Sequence, residues 1–140
     1  MVSFPSRPVR GVHVRYVRQA GCPSDVAVTT VDFEPWEEGL HLEAATDATV
    51  RGDVLPGDLE RFHAALAEGV RAELAEQLPG VPLALALVVH HTTVHLIDTR
   101  EHSYRMAGRL AAREALAALA APNSRGGQGG RGGQEPSGRT

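Results

Sequence analysis

The chain has 140 residues, of which 42% are hydrophobic and 22% are charged, a balance typical of one globular domain and not of a wholly disordered chain. No apolar run approaches the roughly 20 residues that a membrane-spanning helix needs. The start, MVSFPSRPVRG, lacks the apolar core of a secretory signal, so we expect a cytoplasmic protein. The net charge of −3 argues against binding nucleic acid by overall charge, although it allows a local basic patch.

The first part of the chain is predicted to form strands. Apolar and polar residues alternate over 12–19, 26–33 and 40–44, which is the pattern of half-buried strands. A helix is predicted next, from about Pro56 to Leu78, because apolar side chains recur there at three- and four-residue steps and form one stripe.

A strand over 81–89 and a second helix over 101–121 complete the predicted elements. The order β-β-β-α-β-α predicts an α+β two-layer sandwich with both helices on one face of the sheet. Composition changes sharply after Ala121, where Gly, Gln and Arg dominate. We therefore predict a domain over residues 1–121 and a disordered tail over 122–140, which lacks apolar residues to anchor it.

Five segments, taken in order, resemble domain IV of bacterial elongation factor G and the matching domain of ribosome-protection tetracycline-resistance proteins. They are YVRQAG, VDFEPWEEG, AEGVRAEL, GVPLALALVV and VHLIDTREHSYRMAGRLAAREAL. The resemblance covers roughly residues 12 to 120 and implies the fold of ribosomal protein S5 domain 2. It also implies a translation-associated module that reaches the ribosome or structured RNA through two loops at its tip.

The resemblance implies that the family's residues are kept in the second tip loop and lost from the first. In the second loop, His95 matches the tip histidine of the family, and Asp98 and Glu101 match the acidic positions that follow it. The first loop is not kept: of the family's glycine-rich loop only Gly21 remains. We expect this loop to bind RNA less well than the family loop, and Asp25 to repel phosphate.

No enzymatic chemistry is predicted. The chain contains no lysine, so it has no G-x-x-x-x-G-K-[ST] loop for nucleotide, and we expect a stand-alone protein without its own GTPase and without a cofactor. His95, Asp98 and Glu101 could be drawn as an acid–base set, but the sequence shows no pocket that would tune their pKa values. A helix cap at Asp98 or Thr99 explains part of this cluster.

A metal site is not predicted either. His90, His91 and His95 suggest zinc ligands, but adjacent residues on a strand point to opposite faces, so His90 and His91 cannot easily share one ion. Cys22 lies in the first loop, and nothing in the sequence marks it as a reactive thiol.

Two surfaces are candidates for binding a partner. Arg105, Arg109 and Arg113 recur every four residues, so they form one helical stripe that can meet phosphate, with the arginines of the tail as a weaker addition.

The second candidate surface is apolar. In the family register, Leu85, Leu87 and Val89 occupy the outer face of the sheet, which predicts a homodimer or another protein interface. A register shifted by one residue turns Ala84, Ala86 and Val88 outward instead and removes the interface. The alternative function is therefore a repurposed dimeric protein-interaction domain.

Overall fold

The computed structural model describes residues 2–19 and 24–121. Its elements follow the predicted order β-β-β-α-β-α. The strands are β1 (Val9–Arg18), β2 (Asp25–Pro35), β3 (Gly39–Gly52) and β4 (Ala84–Val94), and the helices are α1 (Asp58–Gln77) and α2 (Glu101–Ala120). No helix in this part of the chain is long and apolar enough to cross a membrane.

The four strands form one mixed sheet in the order β1-β2-β4-β3. β2 is antiparallel to both β1 and β4, whereas β3 runs parallel to β4. The parallel pair is connected through α1, as a crossover between parallel strands requires. Both helices lie on one face of the sheet, so the predicted α+β two-layer architecture is confirmed.

The core lies between the helices and the sheet. Apolar side chains spaced four residues apart on α1 are buried, as their periodicity predicts; they are Phe62, Leu66, Val70 and Leu74. The Tyr104 ring of α2 stacks on Phe62 with 5.5 Å between ring centroids, and its hydroxyl donates to the Thr93 carbonyl at 2.7 Å. These contacts join both helices to the sheet.

The two helices meet at glycines. A Cβ atom on Gly69 would lie 1.9 Å from the Arg105 carbonyl oxygen, and one on Gly108 would lie 2.1 Å from that of Leu66. Real carbon atoms do not come so close to an oxygen, so the backbones approach each other only because both positions lack a side chain.

The prediction of an apolar outer surface on β4 is wrong. Leu85, Leu87 and Val89 point toward the helices and are 0%, 0% and 1% exposed. They pair in the sheet with Pro35, Phe33 and Val31 of β2. The register shifted by one residue is the one that forms, because it buries the larger side chains and turns Ala84, Ala86 and Val88 to the other face.

The predicted disordered tail, 122–140, lies outside the described residues, and so does Cys22, for which no reactivity is predicted. The predicted strand 40–44 is the start of a longer one, because β3 continues to Gly52. Leu55, which continues the apolar stripe in the sequence, precedes α1 and is 56% exposed.

Candidate nucleic-acid interface

The loop between β4 and α2 is closed by hydrogen bonds between its two ends. The Thr99 hydroxyl accepts the His95 N–H at 2.7 Å, and the Thr99 N–H donates to the His95 carbonyl at 2.9 Å. Thr99 is buried, so this hydroxyl holds the loop from inside. We predicted that Asp98 or Thr99 caps the helix; instead, the N-cap residue of α2 is Arg100, and Thr99 closes the loop.

His95 lies at this loop with its side chain 55% exposed. Its Nδ1 atom is 3.3 Å from the Asp98 N–H nitrogen, which donates to it, and 3.2 Å from Asp98 Oδ2. The backbone N–H and the carboxylate of Asp98 therefore both contact the same ring nitrogen and orient the His95 side chain. The predicted tip histidine therefore lies on the surface in a fixed position.

Two apolar side chains at the apex of this loop were not predicted. Leu96 is 58% exposed and Ile97 is 81% exposed. Exposure on this scale is expensive for large aliphatic side chains when they could be buried, and adjacent pairs of them often mark a contact surface. Sequence periodicity could not have found them, because it applies to strands and helices and not to a short turn.

The β4–α2 loop is also tied to the start of β2. The Thr99 hydroxyl donates to the Val26 carbonyl at 2.6 Å, and the Val26 N–H donates to the Asp98 carbonyl at 3.0 Å. β2 begins where the first tip loop ends. These bonds therefore join the second loop to the segment that follows the first.

Asp25 strengthens the same junction. It is 4% exposed, and its Oδ1 accepts from Arg100 Nη2 and from the Ser103 hydroxyl, both at 2.8 Å. Burial alone would raise the pKa of Asp25, but the hydrogen bonds from Ser103 and Arg100 outweigh it and lower that pKa. The prediction that Asp25 repels phosphate is therefore wrong, because its charge is enclosed and compensated.

The predicted arginine stripe on α2 binds α1. Arg105 Nε lies 2.9 Å from Glu68, and Arg109 Nη1 lies 3.0 Å from Glu73. Arg113 Nε also contacts Glu73, at 2.9 Å. Each of the three guanidinium groups thus faces a carboxylate of α1, which reduces the charge that they offer to phosphate.

The predicted acidic residue Glu101 is also paired. Its Oε2 lies 3.2 Å from Nη1 of Arg61, which is on α1. Glu101 therefore connects the start of α2 to α1 and is not grouped with His95 and Asp98. The structure does not assemble the acid–base set that the three residues suggest in the sequence.

His90 and His91 do not point to opposite faces. β4 has a bulge at this point. His91 pairs with Thr30 of β2 and Val89 pairs with Val31, so His90 between them has no partner residue in β2. Both rings therefore lie on the outer face. His90 Nε2 is 2.7 Å from Asp32 Oδ2, while His91 contacts two threonine hydroxyls. Over 2–19 and 24–121, no three His, Cys, Asp or Glu residues are placed to hold a metal ion.

No protein-family model matches the chain. It is 32% identical over 114 residues to Elongation factor G 2 of Streptomyces coelicolor and 30% identical over 108 residues to an Elongation factor G-like protein of Mycobacterium tuberculosis. It is also 28% identical over 105 residues to Elongation factor G of Dehalococcoides mccartyi. These alignments cover 74 to 79% of this chain but only 14 to 17% of the relatives.

A solved structure from Thermus thermophilus has the same fold, with a TM-score of 0.62 and 21% identity over 81% of this chain and 16% of that one. Fold and relatives together define an elongation-factor-derived domain. The resemblance is confirmed at this level: the chain is homologous to one segment of elongation factor G and matches its domain IV.

Proposed function

We propose that this chain is a non-catalytic module that binds the ribosome or structured RNA with the end of the domain formed by the β4–α2 loop. It does so without a GTPase of its own, without a cofactor, and in the cytoplasm. The observation that carries the proposal is the exposed apex of that loop, residues 95–97, which is held in place by bonds to Thr99 and to β2. A contact surface fixed before binding loses little conformational entropy when the partner arrives.

Charge compensation at this end supports an approach to phosphate. Two acidic residues there, Asp25 and Glu101, lie 2.8 and 3.2 Å from a guanidinium nitrogen of Arg100 and Arg61 respectively. Arg18, the last residue of β1, pairs with Asp25 in the sheet and is exposed at the same end. Part of the acidic charge at this end of the domain is therefore offset where the RNA would lie.

The arginine stripe has a secondary place in this proposal. Arg105, Arg109 and Arg113 are shared with carboxylates of α1, so a phosphate would compete with neighbours that are already in place. The alternative function as an interaction domain with an apolar sheet face loses its surface, since Leu85, Leu87 and Val89 are buried.

The test is a salt-dependent pelleting assay of the full chain with ribosomes. Phosphate contacts release counterions, so affinity should fall roughly tenfold or more between about 50 and about 200 mM salt, as two or three contacts require. Replacing His95 by alanine removes the polar side chain at the apex. We expect His95→Ala to weaken binding about fivefold to tenfold.

The matched control is His41→Ala. His41 pairs with Ala86 near the opposite end of the sheet and is half-buried, so its loss should leave ribosome binding unchanged. Circular dichroism of both variants checks that they fold. Absence of binding even at low salt would overturn the proposed function. Equal binding by His95→Ala and the unchanged chain would show that the β4–α2 loop is not the contact.

A further inference from the structure

The sheet has one face that no helix of the described chain covers, the outer face. Both helices pack against the opposite face, where the buried side chains of the strands lie. Close to the β4–α2 loop, the register of the four strands places eight residues of the outer face in two rows across the sheet. The row nearer the loop is Arg15, Val28, Thr93 and Arg51, and the next row is His13, Thr30, His91 and Thr49.

Buried neighbours fix the direction of the side chains in the first row. Val14 of β1 and Thr92 of β4 are 3% and 1% exposed and point toward the helices. Successive strand residues point to opposite faces, so Arg15 and Thr93 point outward. Arg51 pairs with Thr93 in a regular part of the β3–β4 ladder and therefore lies on the same face.

The two arginines of the first row are available to an anion. Arg15 and Arg51 are exposed, and neither forms an ion pair within residues 2–19 and 24–121. The arginine stripe of α2 differs, because each of its members faces a carboxylate of α1. No acidic residue belongs to either row.

Among the outer-face residues that have a partner in the register, acidic side chains begin one row further from the loop. There Asp32 of β2 and Glu43 of β3 both pair with Val88. Asp32 is already occupied, because His90 Nε2 lies 2.7 Å from its Oδ2 and the Gly11 N–H donates to its Oδ1 at 2.8 Å. The paired part of the outer face is thus positive at the end that adjoins the β4–α2 loop, and a polyanion is attracted to that end.

Threonine hydroxyls lie between the two arginines. The Thr30 hydroxyl is 2.8 Å from His13 Nδ1, and those of Thr49 and Thr93 are 2.7 and 2.8 Å from the two ring nitrogens of His91. A hydroxyl has one hydrogen and two lone pairs, so each can form a further bond while it contacts the imidazole. The hydroxyl of a ribose is a partner that fits this remaining capacity.

The width of this surface selects among nucleic acids. Neighbouring strands lie about 4.8 Å apart, so the three intervals from β1 to β3 separate the backbones at Arg15 and Arg51 by about 14 Å. A flat surface of that width cannot enter the grooves of B-DNA, which are about 6 and about 12 Å wide, or the narrow major groove of A-form RNA. It can lie on the wide, shallow minor groove of an RNA duplex, which displays the 2′-hydroxyls.

A single strand fits this surface less well. Single strands bind by stacking their bases on aromatic side chains while the phosphates follow one positive groove. Neither row contains Phe, Tyr or Trp, and the two arginines lie on opposite edge strands of the sheet. The arrangement therefore favours two phosphate backbones, one on each side.

We propose that the outer face of the sheet beside the β4–α2 loop binds the minor groove of an RNA duplex. Arg15 contacts the phosphates of one strand, Arg51 contacts those of the other, and the threonine hydroxyls contact the 2′-hydroxyls between them. The inference rests on the proposed function for the class of ligand, RNA, and adds a second contact surface and the form of that RNA. The two surfaces are continuous, because Thr93 lies two residues before His95.

Fluorescence anisotropy of the full chain with labelled oligonucleotides tests the ligand. The probes are an RNA duplex of about 16 base pairs, a DNA duplex of the same sequence, and one strand of the RNA alone. We expect the RNA duplex to bind at least about tenfold more tightly than either other probe, because only it combines the wide groove with 2′-hydroxyls. No binding of the RNA duplex, or equal or tighter binding of either other probe, would overturn the proposal.

Two single variants test the surface. Arg15→Gln and Arg51→Gln each remove one phosphate contact, so each should weaken binding of the RNA duplex about threefold to tenfold and lower the slope of log affinity against log salt by about one. Arg71→Gln is the matched control, since Arg71 is an exposed arginine of α1, on the helical side of the sheet, and forms no ion pair in the described residues. It should change neither quantity.

Circular dichroism checks that all three variants fold. Unchanged duplex binding by both Arg15→Gln and Arg51→Gln, or an equal loss in Arg71→Gln, would overturn the assignment of the surface.

The ribosome pelleting assay separates this inference from the proposed function. Ribosome binding that depends on His95, with no binding of the RNA duplex, would overturn this inference alone. Duplex binding that depends on Arg15 and Arg51, with ribosome binding unchanged by His95→Ala, would support this surface and remove the β4–α2 loop as the contact. Absence of binding to both ribosomes and duplex would overturn both proposals.

Discussion

Replacing Gly108 by alanine is expected to destabilise the domain by about 3 kcal/mol or more, although alanine is the better helix former by roughly 1 kcal/mol. The reason is the helix crossing, where the new Cβ would lie 2.1 Å from the Leu66 carbonyl oxygen and 2.9 Å from the Val70 nitrogen. Both are backbone atoms, so no side-chain rotation relieves the collision. Thermal and urea unfolding followed by circular dichroism measure the loss.

Gly80→Ala is the matched control. A Cβ at Gly80 meets nothing within 4 Å, but the residue has φ of +82°, so alanine there costs only the strain of the left-handed backbone, about 1 kcal/mol. A Gly108→Ala variant as stable as the unchanged chain would contradict the close approach of the helices. Gly69→Ala should behave like Gly108→Ala, because it collides with the Arg105 carbonyl.

Acid is expected to remove roughly 3 kcal/mol of stability through Glu73 alone. This carboxylate is 1% exposed; hydrogen bonds from Arg113, Gln77 and Arg109 outweigh its burial and lower its pKa from an ordinary 4.5 to about 2. Between those values the unfolded chain binds a proton that the folded chain does not. Stability is therefore complete above the unfolded pKa and is lost as the pH falls from about 4.5 toward 2.

Urea unfolding of Glu73→Gln over the same pH range isolates this contribution. The variant should be less stable at neutral pH by about 3 kcal/mol, because two arginines lose their shared acceptor, and its stability should depend less on pH below 4.5. Glu76→Gln is the control: Glu76 contacts Arg109 at 2.9 Å but is 63% exposed, so we expect a loss below about 1 kcal/mol. Parallel acid profiles for Glu73→Gln and the unchanged chain would refute the assignment.

The arrangement of layers was predictable because its patterns are local. Alternation in β1 and β2 and the stripe of Phe62, Leu66 and Val70 in α1 each need only neighbouring residues. The register of β4 was not predictable in this way. VPLALALVV is apolar at nearly every position, and only the pairing with β2 decides that Leu87 is buried and Val88 is not.

The candidate site was predictable only in part. His95 was found by resemblance, and it lies on the exposed loop as expected. The environment of Asp25 depends on Arg100, which is 75 residues away in sequence. The environment of the arginine stripe depends on carboxylates of α1 that are 36 to 40 residues away. Contacts over such separations leave no periodic pattern in the sequence. A charged residue that the pattern of its own strand or helix predicts to be exposed can therefore be covered by a residue from another element.

The bulge at His90 divides β4 into two halves, and residue numbers of opposite parity, odd and then even, face the helices in the two halves. Before it the odd-numbered residues Leu87 and Val89 face the helices, and after it the even-numbered Thr92 and Val94 do so. The strand thus contains one residue more than a straight ladder requires. Deleting one of the two histidines at this point would leave every later side chain of β4 on the face that it occupies now. The length of the strand can therefore change here during evolution without a change in which side chains form the core.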